Sequence, residues 1–316
     1  MFRLLTLPLL WIPAIAIPNV ALAVVTQPVS PPLPPSHQAQ PQECAPGLLG
    51  CPPRNRACHP DVIACPDRGS NRFDWLAQPI PYVVSPRRTQ ILEPQPILRW
   101  LPVPGARQYN VILQGEGLHW QVETTETAIQ YNGDTPLIPG GNYQVIIEAD
   151  TGESSLDEPD HLGGVSFELL TTQAQQDFRH QLQQLQADPA TGPEAIANLY
   201  LTHGLLAAGI TQLEALWQTQ PTSARAIQLG NLYFEWLFLP TLAQPYYEQA
   251  LTLSGDTPSL EQAVILTQLG HVRAVMHDAE GAIVYWRSAQ AVYKTLGDAE
   301  QIEQLETYIE QEKALL

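Results

Sequence analysis

The chain has 316 residues, 44 % of them hydrophobic, which excludes full disorder and leaves room for two modest domains plus unstructured segments. Acidic residues outnumber basic ones by 32 to 15, for a formal charge of −17. That balance repels phosphate backbones and anionic lipid surfaces, and leaves a cationic partner, a neutral peptide or glycan, or another protein.

The first residues read as an export signal. Met1-Phe2-Arg3 is a short positive start, Leu4 to Val20 is apolar, and Ala21-Leu22-Ala23 is a small-x-small cleavage site, so the mature chain is expected to begin at Val24. Pro8, Pro13 and Pro18 each remove a backbone donor and argue against a stable spanning helix, and no later apolar run is long enough to cross a bilayer. Residues 1–23 are therefore assigned as a signal peptide, which places the mature protein in the periplasm or outside the cell.

Residues 24–85 hold thirteen of the 30 prolines and all four cysteines. Pairs such as Pro31-Pro32 and Pro34-Pro35 favour extended polyproline backbone, so this segment reads as a stalk. Cys44, Cys51, Cys58 and Cys65 stand seven residues apart, but Pro46, Pro52, Pro53 and Pro60 forbid the helix that would align them. An even cysteine count in an exported chain implies two disulfides, of undetermined connectivity. The alternative is a redox or metal-handling segment, helped by His59. Zinc spacings are usually tighter than this, and an oxidising compartment removes the thiolates that a metal needs.

Residues 86–171 change character. Short runs of alternating hydrophobicity lie between turn clusters and predict seven strands, at 89–92, 96–101, 108–114, 118–124, 127–131, 142–149 and 165–171. Leu98-Arg99-Trp100, Pro102-Val103-Pro104-Gly105-Ala106 and Tyr109-Asn110-Val111 resemble strands B and C of a fibronectin type III domain. Leu137-Ile138-Pro139-Gly140-Gly141-Asn142-Tyr143 resembles that family's approach to strand F, with Tyr143 as the tyrosine corner. The resemblance implies an immunoglobulin-like β-sandwich with Trp100 and Tyr143 in its core. It departs in a long acidic loop from Asp150 to Asp160. Asp150-Thr151-Gly152 matches the triplet around an aspartic-protease aspartate, but such enzymes need two, and a turn is the expected role. Glu153, Asp157, Glu158 and Asp160 lack the regular spacing of an EF-hand loop and read as a solvated loop.

From Thr172, a candidate N-cap, the periodicity becomes helical, with Phe178, Leu182 and Leu185 on one face. Beyond residue 190 the pattern repeats. Ala197, Tyr200, Gly209, Leu213, Leu216 and Pro221 form one unit; Leu229-Gly230, Tyr233, Ala243, Tyr247 and Ala250 a second; Leu269-Gly270, Ala282, Trp286 and Ala289 a third. The second unit carries one extra residue near Pro240. Small residues belong where the two helices of a unit touch, and Tyr247 and Trp286 where successive units meet. Over about 190–297 the chain resembles the tetratricopeptide repeat family, with a degenerate first unit and a capping helix near 298–314. The resemblance implies that the first helix of each unit lines a concave peptide groove, with Asn198, Asn231 and His271 at equivalent positions and Glu235 nearby. No lysine stands near them to clamp a peptide carboxylate, so neutral or basic peptides are favoured.

The fold class expected is α+β multidomain: a stalk, an immunoglobulin-like sandwich and a helical repeat array over 172–316. The function expected is that of a non-catalytic envelope adaptor that needs no cofactor or metal.

Overall fold

The computed structural model describes residues 79–158, 163–188 and 191–316, all of which fall in one unit of the chain. The export signal, the start at Val24, the four cysteines and Asp160 lie outside the described residues.

Among the described residues eight strands come first: β1 (Val83–Ser85), β2 (Thr89–Ile91), β3 (Ile97–Trp100), β4 (Tyr109–Gly115), β5 (Leu118–Thr124), β6 (Ala128–Gln130), β7 (Asn142–Ala149) and β8 (Ser166–Leu169). They form a three-stranded sheet ordered β1-β3-β6 and a five-stranded sheet ordered β2-β8-β7-β4-β5. Every pairing is antiparallel except β2 with β8. The alternation seen in the sequence is the burial pattern. Tyr109, Val111 and Leu113 of β4 lie beside Val145, Ile147 and Phe167 on one face of the larger sheet, and Leu98 and Trp100 of the other sheet complete the shared core. Trp100 is buried edge-on against Tyr109, with ring centres 5.5 Å apart. Tyr143 accepts a hydrogen bond from the Ile138 amide at 2.6 Å, which ties down the Pro139-Gly140-Gly141 turn. Gly140 takes φ +81° in that turn, a conformation open to glycine at no steric cost.

β1 corrects the reading of residues 24–85 as stalk throughout. Pro79 and Pro81 made the segment look unstructured, yet prolines are tolerated just before a strand. From Ile80 onward every second residue alternates between two interiors. Ile80, Tyr82 and Val84 belong to the core of the helical half, whereas Val83 lies in the core between the sheets. The strand is thus buried on both sides, and the sheet region begins before residue 86.

Eight α-helices follow among the described residues: α1 (Thr172–Ala187), α2 (Pro193–Thr202), α3 (Leu206–Thr219), α4 (Ser223–Asn231), α5 (Pro240–Ser254), α6 (Leu260–Val275), α7 (Ala279–Leu296) and α8 (Ala299–Lys313). The cap of α1 is Thr171, one residue earlier than expected, its hydroxyl accepting from the Ala174 amide. Thr222, Ser259, Asp278 and Asp298 cap α4, α6, α7 and α8 in the same way, satisfying amides that lack helical partners. α2 packs on α3, α4 on α5, α6 on α7, and α8 closes on α7. The extra residue of the second unit is absorbed inside the first helix, not in the connection. α4 runs on as a π turn over Leu232–Trp236, with the Leu237 amide bonded to the Leu232 carbonyl at 3.1 Å. A single inserted residue in an α-helix produces this widening. Phe238 then takes φ +53°, and Pro240 opens α5 at its first turn, where its missing N–H is harmless.

The small residues sit where the repeat needs them. A methyl group on Gly230 would come within 2.6 Å of the Tyr247 ring, and one on Gly270 within 2.2 Å of Trp286 Nε1. That indole nitrogen donates to the Thr267 carbonyl at 3.2 Å, so the ring has little freedom to withdraw. Gly270→Ala is therefore expected to destabilise the chain by about 1–3 kcal/mol in denaturant titration, despite the better helix propensity of alanine. A neutral result would mean that α6 and α7 are not in close contact.

The two halves are joined by more than β1. The Gln90 amide donates to the Gly204 carbonyl at 3.0 Å, and Thr89 Oγ1 donates to the same carbonyl at 3.1 Å. Arg87 is 1 % exposed, and its guanidinium is paired with Glu158, itself 6 % exposed, through Nη1 at 2.8 Å and through Nη2. Arg87 Nε also donates to the Leu237 carbonyl at 2.6 Å, at the end of the π turn. One ion pair thereby ties the start of the sheet region, the acidic loop and the helical array together.

Candidate functional site

The first helices of successive units share one face, and side-chain amides stitch it together. Gln228 of α4 donates through Nε2 to Asn198 Oδ1 of α2 at 3.2 Å, and Gln268 of α6 donates to Glu235 of the π turn at 3.0 Å. Asn198 is exposed. Glu235 is half-buried, and burial pushes its carboxyl above the usual range while the bond from Gln268 opposes the rise.

The other two residues expected in the groove are engaged differently. Asn231 accepts a hydrogen bond from the Tyr247 hydroxyl at 2.7 Å, a contact with the second helix of its own unit. His271 is half-buried between Trp286 and Tyr308, with ring centres at 5.4 and 5.0 Å. Burial pushes its imidazole down to about 4, so it stays neutral near pH 7. Asn198 and Glu235 thus lie along the helix face, whereas Asn231 and His271 turn towards the aromatic residues that fill the repeat.

The face ends at an open cleft of about 470 Å³ where the edge of the five-stranded sheet approaches the turn between α2 and α3. Arg88, Gln90 and Glu168 line its sheet side; Leu201, Glu235 and Trp236 line its helical side. Trp236 is 57 % exposed, although every residue from Leu232 to Leu239 except Glu235 is apolar or aromatic. The π turn explains this, because the added residue takes the helix out of its regular period just where Trp236 stands. Along the sheet side Gln90 Nε2 donates to Glu168 at 3.2 Å, and the Arg88 guanidinium lies 4.4 Å from the centre of the Phe238 ring. The cleft therefore offers an indole face, amides and charges of both signs, a mixture suited to a polypeptide segment.

Nothing in the sequence singles out Arg88 or Trp236. An extra residue near Pro240 was the one available signal, and it did not say which side chain would be displaced into solvent. The acidic loop also needs correction at one position. Glu158 is buried in the pair with Arg87, whereas Asp157 is exposed and accepts from the Ser154 amide at 2.8 Å. Asp150 is exposed just after β7 and accepts from the Arg107 amide at 2.9 Å. Among the described residues no group of three or more His, Cys, Asp or Glu side chains is placed to hold a metal ion, and no helix is long and apolar enough to cross a membrane.

Three solved structures show partial similarity to the chain. A Bordetella parapertussis protein aligns at 24 % identity and a TM-score of 0.29, over 33 % of this chain and 87 % of its own. BtubC from P. vanneervenii aligns at 20 % identity and a TM-score of 0.30, over 45 % of this chain and 73 % of its own. MamA aligns at 16 % identity and a TM-score of 0.30, over 45 % of this chain and 92 % of its own. No family model matches the chain, and neither does any curated protein.

Proposed function

We propose that this chain is an exported, non-catalytic adaptor whose helical array, of tetratricopeptide type, binds a segment of another protein. The observation that carries the reading is the joined face of α2, α4, the π turn and α6, which runs into a cleft with the indole of Trp236 largely in solvent. A large aromatic left exposed beside a concavity is a common anchor for a protein partner. The formal charge of −17 favours a neutral or basic segment. The sandwich, of fibronectin type III type, is read as a rigid wall of the site. Its strand order and the Tyr143–Ile138 bond support that assignment.

The test begins with capture of partners from an envelope extract of the native host, followed by titration of the purified partner. Trp236→Ala is expected to weaken binding by about 10- to 100-fold, the size of an interface anchor. The melting temperature should hardly change, because the side chain is mostly in water. Asn198→Ala is the milder companion, removing one exposed amide. Asn231→Ala is a poor test, since it would also leave the Tyr247 hydroxyl without its acceptor. Unchanged affinity in Trp236→Ala, with the fold intact by circular dichroism, would move the binding surface away from this cleft.

A further inference from the structure

We propose that β5 is a pairing edge through which two copies of this chain join their five-stranded sheets, antiparallel, about a two-fold axis at Gln121. β5 is seven residues long and pairs with β4 on one side, in continuous register from Gly115↔Leu118 to Tyr109↔Thr124. Among the described residues its backbone makes no hydrogen bond on the other side.

The remaining edges are protected. β2 is sealed by the Gly204 turn through Gln90 and Thr89, and the edges of the smaller sheet, β1 and β6, are three residues each. Proteins usually guard a long edge with proline, lysine or a bulge. β5 reads Leu-His-Trp-Gln-Val-Glu-Thr and carries none of these. Trp120 and Val122 face the core side yet stay only half-buried, because no neighbouring strand flanks them.

The sequence of β5 is complementary to itself in one register. With Gln121 opposite its own copy, His119 of each chain faces Glu123 of the other on the solvent side. Trp120 then faces Val122 on the core side. Imidazole against carboxylate and aromatic against β-branched side chain are both favourable cross-strand pairs. A parallel arrangement would set His119 against His119 and Glu123 against Glu123. Sliding the antiparallel pair by two residues would remove both complementary pairs. A register shifted by one residue is excluded, since it would turn one strand's core side to solvent.

The experiment is sedimentation equilibrium of the full chain across micromolar concentrations, with reductant present so that intermolecular disulfides contribute nothing. The expected result is a concentration-dependent dimer. His119→Glu should weaken dimerisation by about tenfold or more, since both pairs become like-charged. The exchanged double variant, His119→Glu with Glu123→His, should restore it. Both positions are exposed, so folding is expected to be retained and is checked by circular dichroism. Three outcomes overturn the proposal. One is a monomer throughout the range, and another is a dimer indifferent to His119→Glu. The third is slow amide exchange of β5 in a monomer, which would show that a segment of the same chain covers this edge.

Discussion

A fragment that starts at residue 86 is expected to lose cooperative unfolding, whereas one that starts at residue 79 keeps it. The seven residues between carry Ile80, Tyr82, Val83 and Val84, all buried. Full burial of a large apolar side chain contributes about 1.5–3 kcal/mol, so these four together approach the net stability of a whole domain. Their loss falls on both halves, because Val83 leaves the core between the sheets and the other three leave the helical core. It also strips β3 of a neighbour, since β1 pairs with it through Val83↔Trp100 and Ser85↔Arg99. Denaturant titration followed by tryptophan fluorescence and by far-ultraviolet circular dichroism reads the result. The longer fragment should give coincident transitions, and the shorter one a broad, non-coincident change. Equal midpoints for the two fragments would show that the segment is dispensable.

Arg87→Met alone and Glu158→Leu alone should each destabilise the chain by about 3–5 kcal/mol, the usual result of leaving a charge buried without its partner. The double variant should recover much of that loss, because two apolar side chains of similar length bury no charge. Arg87 raises the stakes of the single Glu158 change, since its guanidinium also bonds the Leu237 and Val83 carbonyls and would keep its charge. Gly164 lies against both side chains, closer than any larger residue would allow. Midpoints of chemical unfolding for the three variants decide the matter. A double variant as unstable as the sum of the singles would mean that the two side chains are not coupled, and would overturn the account of each single change as a charge left without its partner.

The parts of the fold that were legible in the sequence are those in which a single face is buried. β5 and β7 begin and end where the alternation does, at 118–124 and 142–149. Gly230, Gly270, Ala243 and Ala282 occupy the close contacts that their spacing implied. What the sequence does not show is whatever depends on two distant parts of the chain meeting. β1 alternates too, but both of its faces are apolar, and two prolines precede it. Arg87 and Glu158 are 71 positions apart, and each alone looks like an ordinary surface charge. Of the four residues expected in a groove, Asn198 and Glu235 lie along the helix face. Asn231 and His271 were equally well placed by spacing, but the aromatic side chains of α5, α7 and α8 reach them, and helical periodicity does not report how far a neighbour extends.

The placement of β1 also determines how the molecule would answer to tension. Any pull applied upstream of residue 79 enters the fold at Ile80 and Tyr82, which are lodged among the helices, before it reaches Val83 between the sheets. The load is therefore divided between two interiors at the first residues that bear it, and neither can be drawn open alone. Just behind stands Arg87, bonded to the far end of the π turn, as a second stop. A tether attached there would hold the sheet region and the helical array as one body, and the cleft between them would keep its width under strain.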